Sequence, residues 1–474
     1  MTGFVFYDFE TTGRSPAFDQ ALQFAAIYTD EDFVEIERVN IRSRLLPYIL
    51  PAPKALQVTG IDPNDTLKTD LPSAFEFAQK LQYLTEKWSP ATWIGYNSVS
   101  FDENFLRQIF YQNLQPNIYA TQNHGNTRHD LMKIVYAVYA QHPETLIWPE
   151  DKSGKKIFKL EELAPANGLE NFNAHDALAD VEATVFILAL IRKRNEAFFD
   201  EIMSMCNKPH VRSLLHLYKP MQVTLRFGSP PPKQYYGCLC GVQKNNGNSF
   251  GFFNIEQNDP VSIINADQAV IDDIVKNKPS SIRILKLNEA LIFSPMENPA
   301  SDQVQVCEMI KENHEFKFRV ATALERKYEP SDPEEKEVED RIHDQFQSPD
   351  RPILEQFQDA SWEHRLELVY SMKDARYRQL GMRLIACHAP YLLSNSQAAT
   401  FVNFIKDRWT LTEGAKWETL ETVKKWLKNS EAELDPKTLA TFKAFYSRRL
   451  NEVGLDFTNS ERLLSTSEKS DTFY

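Results

Sequence analysis

The sequence has few cysteines, no long hydrophobic run and no glycine-rich phosphate loop, and each shortage excludes a class of protein. Five scattered cysteines in 474 residues cannot build a disulfide framework, so a reducing compartment is expected. No apolar stretch reaches the roughly 20 residues that cross a bilayer. The first residues lack the basic flank and the cleavage site of a signal peptide. We therefore expect a cytoplasmic protein without a membrane association.

The sequence also has fewer basic than acidic residues. Lysine and arginine number 53 against 66 acidic residues, a formal net charge of −13. Nonspecific binding to duplex DNA usually requires a basic surface that displaces counterions. Any contact with nucleic acid is therefore expected in a local groove. The absence of a Walker pattern and of a Gly-x-Ser-x-Gly elbow also argues against nucleoside-triphosphate and acyl-transfer chemistry.

The length suggests two or three domains. Residues 1–195 alternate short apolar runs with helical patterns, which predicts an α/β domain with a first strand near 4–9 and helices near 73–86, 103–112 and 128–142. Residues 196–345 carry strand patterns with turn signals such as Asn246-Gly247 and predict a β-rich domain. After an acidic linker at 332–337, residues 346–474 place tryptophans and leucines at helical spacing and predict a helical domain.

The first chemical motif is an acid pair at the end of the first predicted strand. Asp8 and Glu10 lie two positions apart, so strand alternation directs both carboxylates to one face. Adjacent carboxylates repel each other unless a cation lies between them, and all-oxygen ligands favour Mg²⁺ or Mn²⁺. The alternative is an edge strand with solvated acids.

The second motif is the strand, loop and helix start at residues 94–103. Asp102 falls in the first turn of the predicted helix, while Asn97 and Phe101 suit a site that hydrogen-bonds and stacks a nucleotide. Ordinary helix chemistry is the alternative, because Ser100 and Glu103 have the spacing of a capping box and Asp102 complements the positive end of the helix.

The third motif opens the helix that begins near residue 177. Asp180 falls within the apolar stripe of that helix, where a carboxylate is costly unless it is paired or bound to metal. His175 precedes it by five positions and can border the same cleft, although a polar capping residue is the alternative. Taken together, the acids and the imidazole are the groups required for two-metal phosphodiester hydrolysis, with two ions per site and neutral His175 as the general base.

These motifs, in this order, resemble those of the DnaQ-like (DEDDh) exonuclease superfamily: Asp8-x-Glu10-Thr11, Gly95-Tyr96-Asn97 to Phe101-Asp102, and His175-x4-Asp180. Further stretches are similar to the bacterial exodeoxyribonuclease I family, among them Gln23-Phe24-Ala25-Ala26 and Val58-Thr59-Gly60-Ile61. The resemblance is strong to about residue 195. It implies a ribonuclease-H-like exonuclease domain, followed by an SH3-like β-rich domain and a C-terminal helical domain.

The resemblance also implies roles for individual residues. Asp8, Glu10 and Asp180 match the direct metal ligands, Asp102 the fourth acid and His175 the base, with Mg²⁺ as the cofactor. Expected substrate contacts are Glu10, Thr11, Asn97, Phe101, Arg107, Lys159 and Lys208, where the alternative for Arg107 and Lys208 is an ordinary solvated cation.

The function implied is 3′→5′ degradation of single-stranded DNA to mononucleotides, in DNA repair and recombination. The implied partner is the acidic tail of single-stranded-DNA-binding protein, and a monomer is expected. Two alternatives stay open. One is a related exonuclease that trims RNA or proofreads for a polymerase, and the other is a catalytically inactive module that binds single strands.

Overall fold

In a computed structural model of the chain, residues 3–170, 176–278, 280–327, 336–344 and 349–455 are described. His175 and most of the predicted acidic linker lie outside these ranges. Within them, no helix is both long and apolar enough to cross a membrane.

The first region is built on a mixed sheet of five strands in the order β3-β2-β1-β4-β5. The antiparallel pairs are β1 with β2 and β2 with β3, while β4 runs parallel to β1 and β5 parallel to β4. The central strand β1 is buried along almost its whole length, and β3 at the edge alternates between exposed and half-buried residues. The strands are β1 (Gly3–Thr11), β2 (Ala21–Thr29), β3 (Glu35–Arg42), β4 (Ala91–Gly95) and β5 (Thr127–Asp130).

Helices cover both faces of this sheet, and each face buries an apolar cluster of its own. A capping box between Ser73 and Glu76 begins α2, and the Asp130 side chain caps α4. The helices are α1 (Pro53–Thr59), α2 (Ala74–Lys87), α3 (Asp102–Gln112), α4 (Leu131–Gln141), α5 (Leu160–Ala166) and α6 (Ala177–Arg194).

The second region contains an antiparallel sheet in the order β10-β6-β7-β8-β9. Two further apolar clusters lie within it, and Cys238 and Cys240 are buried positions of β7. Its helices are α7 (Glu196–Ser204), α8 (Lys208–Leu215), α9 (Pro260–Asn265), α10 (Gln268–Lys276), α11 (Ser301–Glu312) and α12 (His314–Arg326). Its strands are β6 (Met221–Leu225), β7 (Lys233–Val242), β8 (Ser249–Asn254), β9 (Ile282–Lys286) and β10 (Phe293–Pro295).

The C-terminal region is helical and packs against the first region. Trp409 Nε1 donates to the Tyr48 carbonyl at 3.0 Å, and the Tyr446 hydroxyl donates to the Pro51 carbonyl at 2.7 Å. One apolar cluster runs from β1 and α2 into these helices. They are α13 (Arg351–Asp359), α14 (Trp362–Ser371), α15 (Ala375–His388), α16 (Asn395–Thr410), α17 (Leu420–Asn429) and α18 (Pro436–Glu452).

The predicted α/β class of the first region is confirmed, but one predicted element is wrong at its start. The expected helix at 128–142 begins only at Leu131, because residues 127–130 form β5. In β5, Arg128 aligns with Trp93 and Asp130 with Gly95 of β4. Residues 128–130 therefore belong to the sheet and not to the helix.

Candidate active site

The acid pair lies near the end of β1, in the centre of the sheet. β1 is hydrogen-bonded on both sides, to β2 and to β4, so the alternative of an edge strand with solvated acids is wrong. Glu10 is only 9% exposed and Asp8 is half-buried. Strand alternation therefore holds two carboxylates on one face, with little water to solvate them.

Helix α6 brings a third carboxylate to this pair. Ligand oxygens of Asp8, Glu10 and Asp180 all lie within 4.8 Å of one another, the one such group found among the residues that the structure describes. Asp176, the residue before α6, accepts a hydrogen bond from the Leu178 amide at 3.0 Å and caps the helix. The cap fixes the start of α6, and Asp180 follows one turn later.

Asp102 stands next to this group rather than within it. Its side chain is 2% exposed, and its Oδ1 accepts a hydrogen bond from the Phe9 amide at 3.1 Å. This bond ties the first residue of α3 to the backbone between the two acids of β1. The fourth acid is thus held beside the cluster by the backbone of β1.

The electrostatics of the four acids favour a bound cation. Burial, and then the neighbouring carboxylates, raise the pKa of Asp8 well above its ordinary value. Burial, then the charges of Asp180 and Asp102, raise the pKa of Glu10 to about 8. Burial first, and like charge as well, raises the pKa of Asp102. Four neighbouring carboxylates repel one another when all are ionised unless positive charge is added, and their all-oxygen donor set fits a hard divalent ion.

The alternative of a capping box at α3 is wrong. Phe101 precedes the helix, and no side chain of the described residues caps it. Glu103 is instead 1% exposed, accepts a hydrogen bond from the Tyr7 hydroxyl at 3.0 Å, and pairs with Arg128 at 2.8 Å. Burial alone would raise its pKa, but the charges of Arg128 and Arg107 lower it below the ordinary value. Sequence spacing assigned Glu103 to a cap and gave no sign of these partners.

The sequence pattern also did not predict the role of Asp130, which fixes a loop of the site. Its buried carboxylate accepts hydrogen bonds from the Asn97, Val99 and Met132 amides at 3.0, 3.2 and 2.9 Å. It thereby holds the loop that leads from β4 into α3. The sequence signal was an acid directly before an apolar helix, where a cap is common.

The expected substrate contacts near the acids occupy varied environments. The Thr11 hydroxyl donates to the Gly13 carbonyl at 2.6 Å, and Asn97 adopts a left-handed backbone with φ of 63°. Phe101 is half-buried, with its ring 4.9 Å from that of Phe105. Lys159 precedes α5; its side chain is 73% exposed and pairs with Glu161 at 2.7 Å.

Arg107 and Lys208 are not ordinary solvated cations. Arg107 pairs with Glu103 at 3.2 Å and lies over the Tyr119 ring, 5.3 Å from its centroid. Lys208 donates to Gln122 Oε1 at 2.8 Å. Burial, followed by repulsion from Arg128 and Arg107, lowers the Lys208 pKa to about 8. The two cations therefore share one partly buried positive region between α3 and the start of α8.

Comparison with known proteins shows what this chain is similar to. The model of the Exonuclease family, RNase_T, matches residues 5–188. Exodeoxyribonuclease I of Escherichia coli strain K12 is 37% identical over 225 residues, covering 45% of this chain and 47% of that protein. The Haemophilus influenzae protein of the same name is 39% identical over 215 residues, or 45% of each chain. The matched part spans about half the length of these relatives.

The similarity in fold extends further than the similarity in sequence. The structure of E. coli Exonuclease I in complex with a dA16 oligonucleotide superposes with a TM-score of 0.81 and 25% identity, over 96% of this chain and 100% of that chain. Exonuclease I from Methylocaldum szegediense superposes with a TM-score of 0.80 at 24% identity, again over 96% and 100%. The predicted fold class, a ribonuclease-H-like exonuclease domain followed by additional domains, is confirmed. Residues 5–188 of the chain therefore match the Exonuclease family, and the fold of the described chain is similar to that of bacterial Exonuclease I.

Proposed function

We propose that the protein is a metal-dependent 3′→5′ exodeoxyribonuclease that releases mononucleotides from single-stranded DNA. The observation that supports this most directly is the group of three carboxylates, Asp8, Glu10 and Asp180, within 4.8 Å of one another inside the matched exonuclease domain. Carboxylates this close together, with the pKa values of Asp8 and Glu10 raised by burial and by their neighbours' charges, are typical of a functional site.

Asp8, Glu10 and Asp180 are the proposed direct ligands of the cofactor, and Asp102 is the proposed fourth acid. The expected cofactor is Mg²⁺, with Mn²⁺ as a substitute, and two ions per site are proposed. When bound, such ions supply positive charge for the attacking and leaving oxygens of phosphodiester hydrolysis. The hydrogen bond from the Phe9 amide holds the Asp102 carboxylate in place beside β1.

His175 is the proposed general base. It lies outside the described residues, directly before Asp176, whose side chain caps α6. In its neutral form, its imidazole would take the proton from the attacking water. No covalent intermediate with the protein is required.

The proposed substrate is a single strand. The net charge of −13 disfavours a broad duplex-binding face. Arg107, five residues after Asp102 on α3, and Lys208 at the start of α8 instead give a local positive region. Glu10, Thr11, Asn97, Phe101 and Lys159 are the other proposed substrate contacts.

The partners and setting are also proposed. Solved relatives include Exonuclease I with a dT13 oligonucleotide and an SSB/Exonuclease I structure. By analogy, we expect this chain to bind the acidic tail of single-stranded-DNA-binding protein, to act as a monomer, and to serve DNA repair and recombination.

One assay tests the substrate and the cofactor together. Single-stranded DNA, matched duplex DNA and matched RNA, each labelled at the 3′ end, are incubated with Mg²⁺ or with EDTA. The expected result is release of labelled mononucleotide from single-stranded DNA in Mg²⁺ alone. Release from RNA but not from DNA would replace the proposal with the RNA-trimming alternative. Strand binding without cleavage in excess Mg²⁺ would favour the inactive binding module.

A further inference from the structure

Glu103 directly follows Asp102, yet its carboxylate is fully engaged with other partners. One oxygen accepts the Tyr7 hydroxyl at 3.0 Å. The other accepts Arg128 Nη1 at 2.8 Å and Arg107 Nη2 at 3.2 Å. A side chain that is 1% exposed and bound in three directions has one fixed orientation.

The contact with Tyr7 joins α3 to the strand that carries the acids. Tyr7 and Phe9 flank Asp8 on β1, and each bonds to one of the first two residues of α3. The Phe9 amide meets Asp102, and the Tyr7 hydroxyl meets Glu103. Two adjacent links therefore set the position of the first turn of α3 relative to Asp8.

The contact with Arg107 acts one turn further along α3. Glu103 holds one end of the guanidinium, and the Tyr119 ring lies against its face with the Cζ atom 5.3 Å from the centroid. A long side chain that is already oriented loses less conformational freedom when it binds a phosphate. The same carboxylate thus orders a proposed strand contact as well as the helix start.

Arg128 supports Glu103 from β5. It is 7% exposed, and its second terminal nitrogen donates to the Asn288 carbonyl of the second region at 2.9 Å. Three cations, Arg107, Arg128 and Lys208, stand near this one acid. Replacing Glu103 by a neutral group would therefore leave the cations to repel one another.

A second buried acid provides a natural comparison. Glu339 is 0% exposed and pairs with Arg383 at 2.7 Å and Arg408 at 2.9 Å. Its carboxylate joins the segment before α13 to Arg383 of α15 and Arg408 of α16. The two sites have matching chemistry, but only Glu103 touches residues that adjoin the acid cluster.

We propose that Glu103 is a positioning residue for the exonuclease reaction, one that holds α3 so that Asp102 meets the acid cluster and Arg107 meets the strand. This inference rests on the proposed function. The activity of the wild type on single-stranded DNA is therefore measured first. An inactive wild type would contradict the proposed function, and this result is distinct from any result obtained with the Glu103 variants. With wild-type activity in hand, variants test Glu103 separately.

The test compares Glu103→Gln with Glu339→Gln in full-length protein. Both changes remove one buried charge between two arginines, so both are expected to lower the melting temperature. Glu103→Gln should also raise KM for the strand and lower kcat by roughly 10- to 100-fold, the loss expected when a reacting group is misplaced by about 1 Å. Glu339→Gln should leave both constants within about twofold of wild type. Equal constants in the two variants would show that Glu103 is only structural and would overturn the inference.

Two further variants separate the two roles of Glu103, and the first of them keeps the inference testable if Glu103→Gln does not fold. Tyr7→Phe removes one hydroxyl and should lower kcat more than it raises KM, because the lost link lies on the Asp102 side. The double variant Arg107→Gln with Glu103→Gln should have nearly the same KM as Arg107→Gln alone, because the guanidinium that Glu103 orients is already absent. Additive effects on KM in the double variant, or an unchanged kcat in Tyr7→Phe, would each contradict a positioning role.

Discussion

In the absence of metal, Glu10→Gln should be more stable than the wild type, and the difference should grow as the pH rises. Burial and the neighbouring carboxylates raise the pKa of Glu10 from 4.5 to about 8. Between these values the folded protein keeps the proton while the unfolded chain loses it, so ionisation favours the unfolded state. The stability of the folded state must therefore fall as the pH rises from about 4.5 to about 8 and then level off.

The structure sets the size of this effect. The folded and unfolded pKa values of Glu10 differ by about 3.5 pH units, and each unit corresponds to about 1.4 kcal/mol. The upper limit is thus about 5 kcal/mol of unfolding free energy. Asp8 and Asp102 have raised pKa values as well. All three acids therefore lower the unfolding free energy of the wild type as the pH rises.

Urea denaturation in EDTA, repeated at several pH values, measures the effect on wild type and Glu10→Gln. The variant should equal the wild type near pH 4.5 and exceed it in stability by up to about 5 kcal/mol at pH 8. Mg²⁺ or Mn²⁺ should stabilise the wild type at pH 8 and the variant much less. A difference between the two proteins that does not change with pH would refute the electrostatic account of the cluster.

Three further predictions concern the proposed reaction. Asp180→Ala should abolish cleavage in Mg²⁺ while strand affinity in a filter-binding assay stays close to wild type; near-normal cleavage would remove Asp180 from the site. His175→Ala should lower kcat by roughly 10²- to 10⁴-fold with metal affinity unchanged in calorimetry, and an equal loss of metal affinity would make it a ligand instead. Because the pKa of Lys208 is lowered to about 8, its positive charge is lost above that pH. KM for the strand should rise between pH 7 and 9 in wild type but not in Lys208→Arg, and identical profiles would exclude Lys208 as a strand contact.

The acid pair was predictable because its signal is local. A strand of period two fixes the relative direction of Asp8 and Glu10 whatever the strand packs against. The position of Asp180 within an apolar stripe was equally visible, since a carboxylate there needs a partner. For these residues, the sequence pattern and the fold carry the same information.

Glu103 and Arg128 were beyond such reasoning, because their partners are distant in sequence. The spacing of Ser100 and Glu103 matches a capping box, but the Glu103 carboxylate instead accepts hydrogen bonds from the Tyr7 hydroxyl and from two arginines. Arg128 continues the apparent helical period of α4 although it belongs to β5. Pairing with β4 overrides the local preference there, as tertiary contacts commonly do.

The packing of the C-terminal helices was also hidden from the sequence. Leucine and tryptophan spacing predicts helices but not the surface that they cover. In the structure, Arg449 reaches the Leu46 and Pro47 carbonyls at 3.1 and 2.7 Å. The helical region is thus fixed onto the loop that follows β3, through backbone groups that no side-chain pattern reveals.

The most direct test of the acid cluster as a metal-dependent exonuclease centre is a reversible cofactor experiment on one substrate. A single-stranded DNA labelled at its 5′ end is followed on a sequencing gel in Mg²⁺, after addition of EDTA, and after Mg²⁺ is restored. We expect the labelled strand to shorten stepwise from its 3′ end, to stop in EDTA and to resume with the metal. Shortening that continues in EDTA, or immediate release of the 5′ label as a mononucleotide, would contradict the proposal.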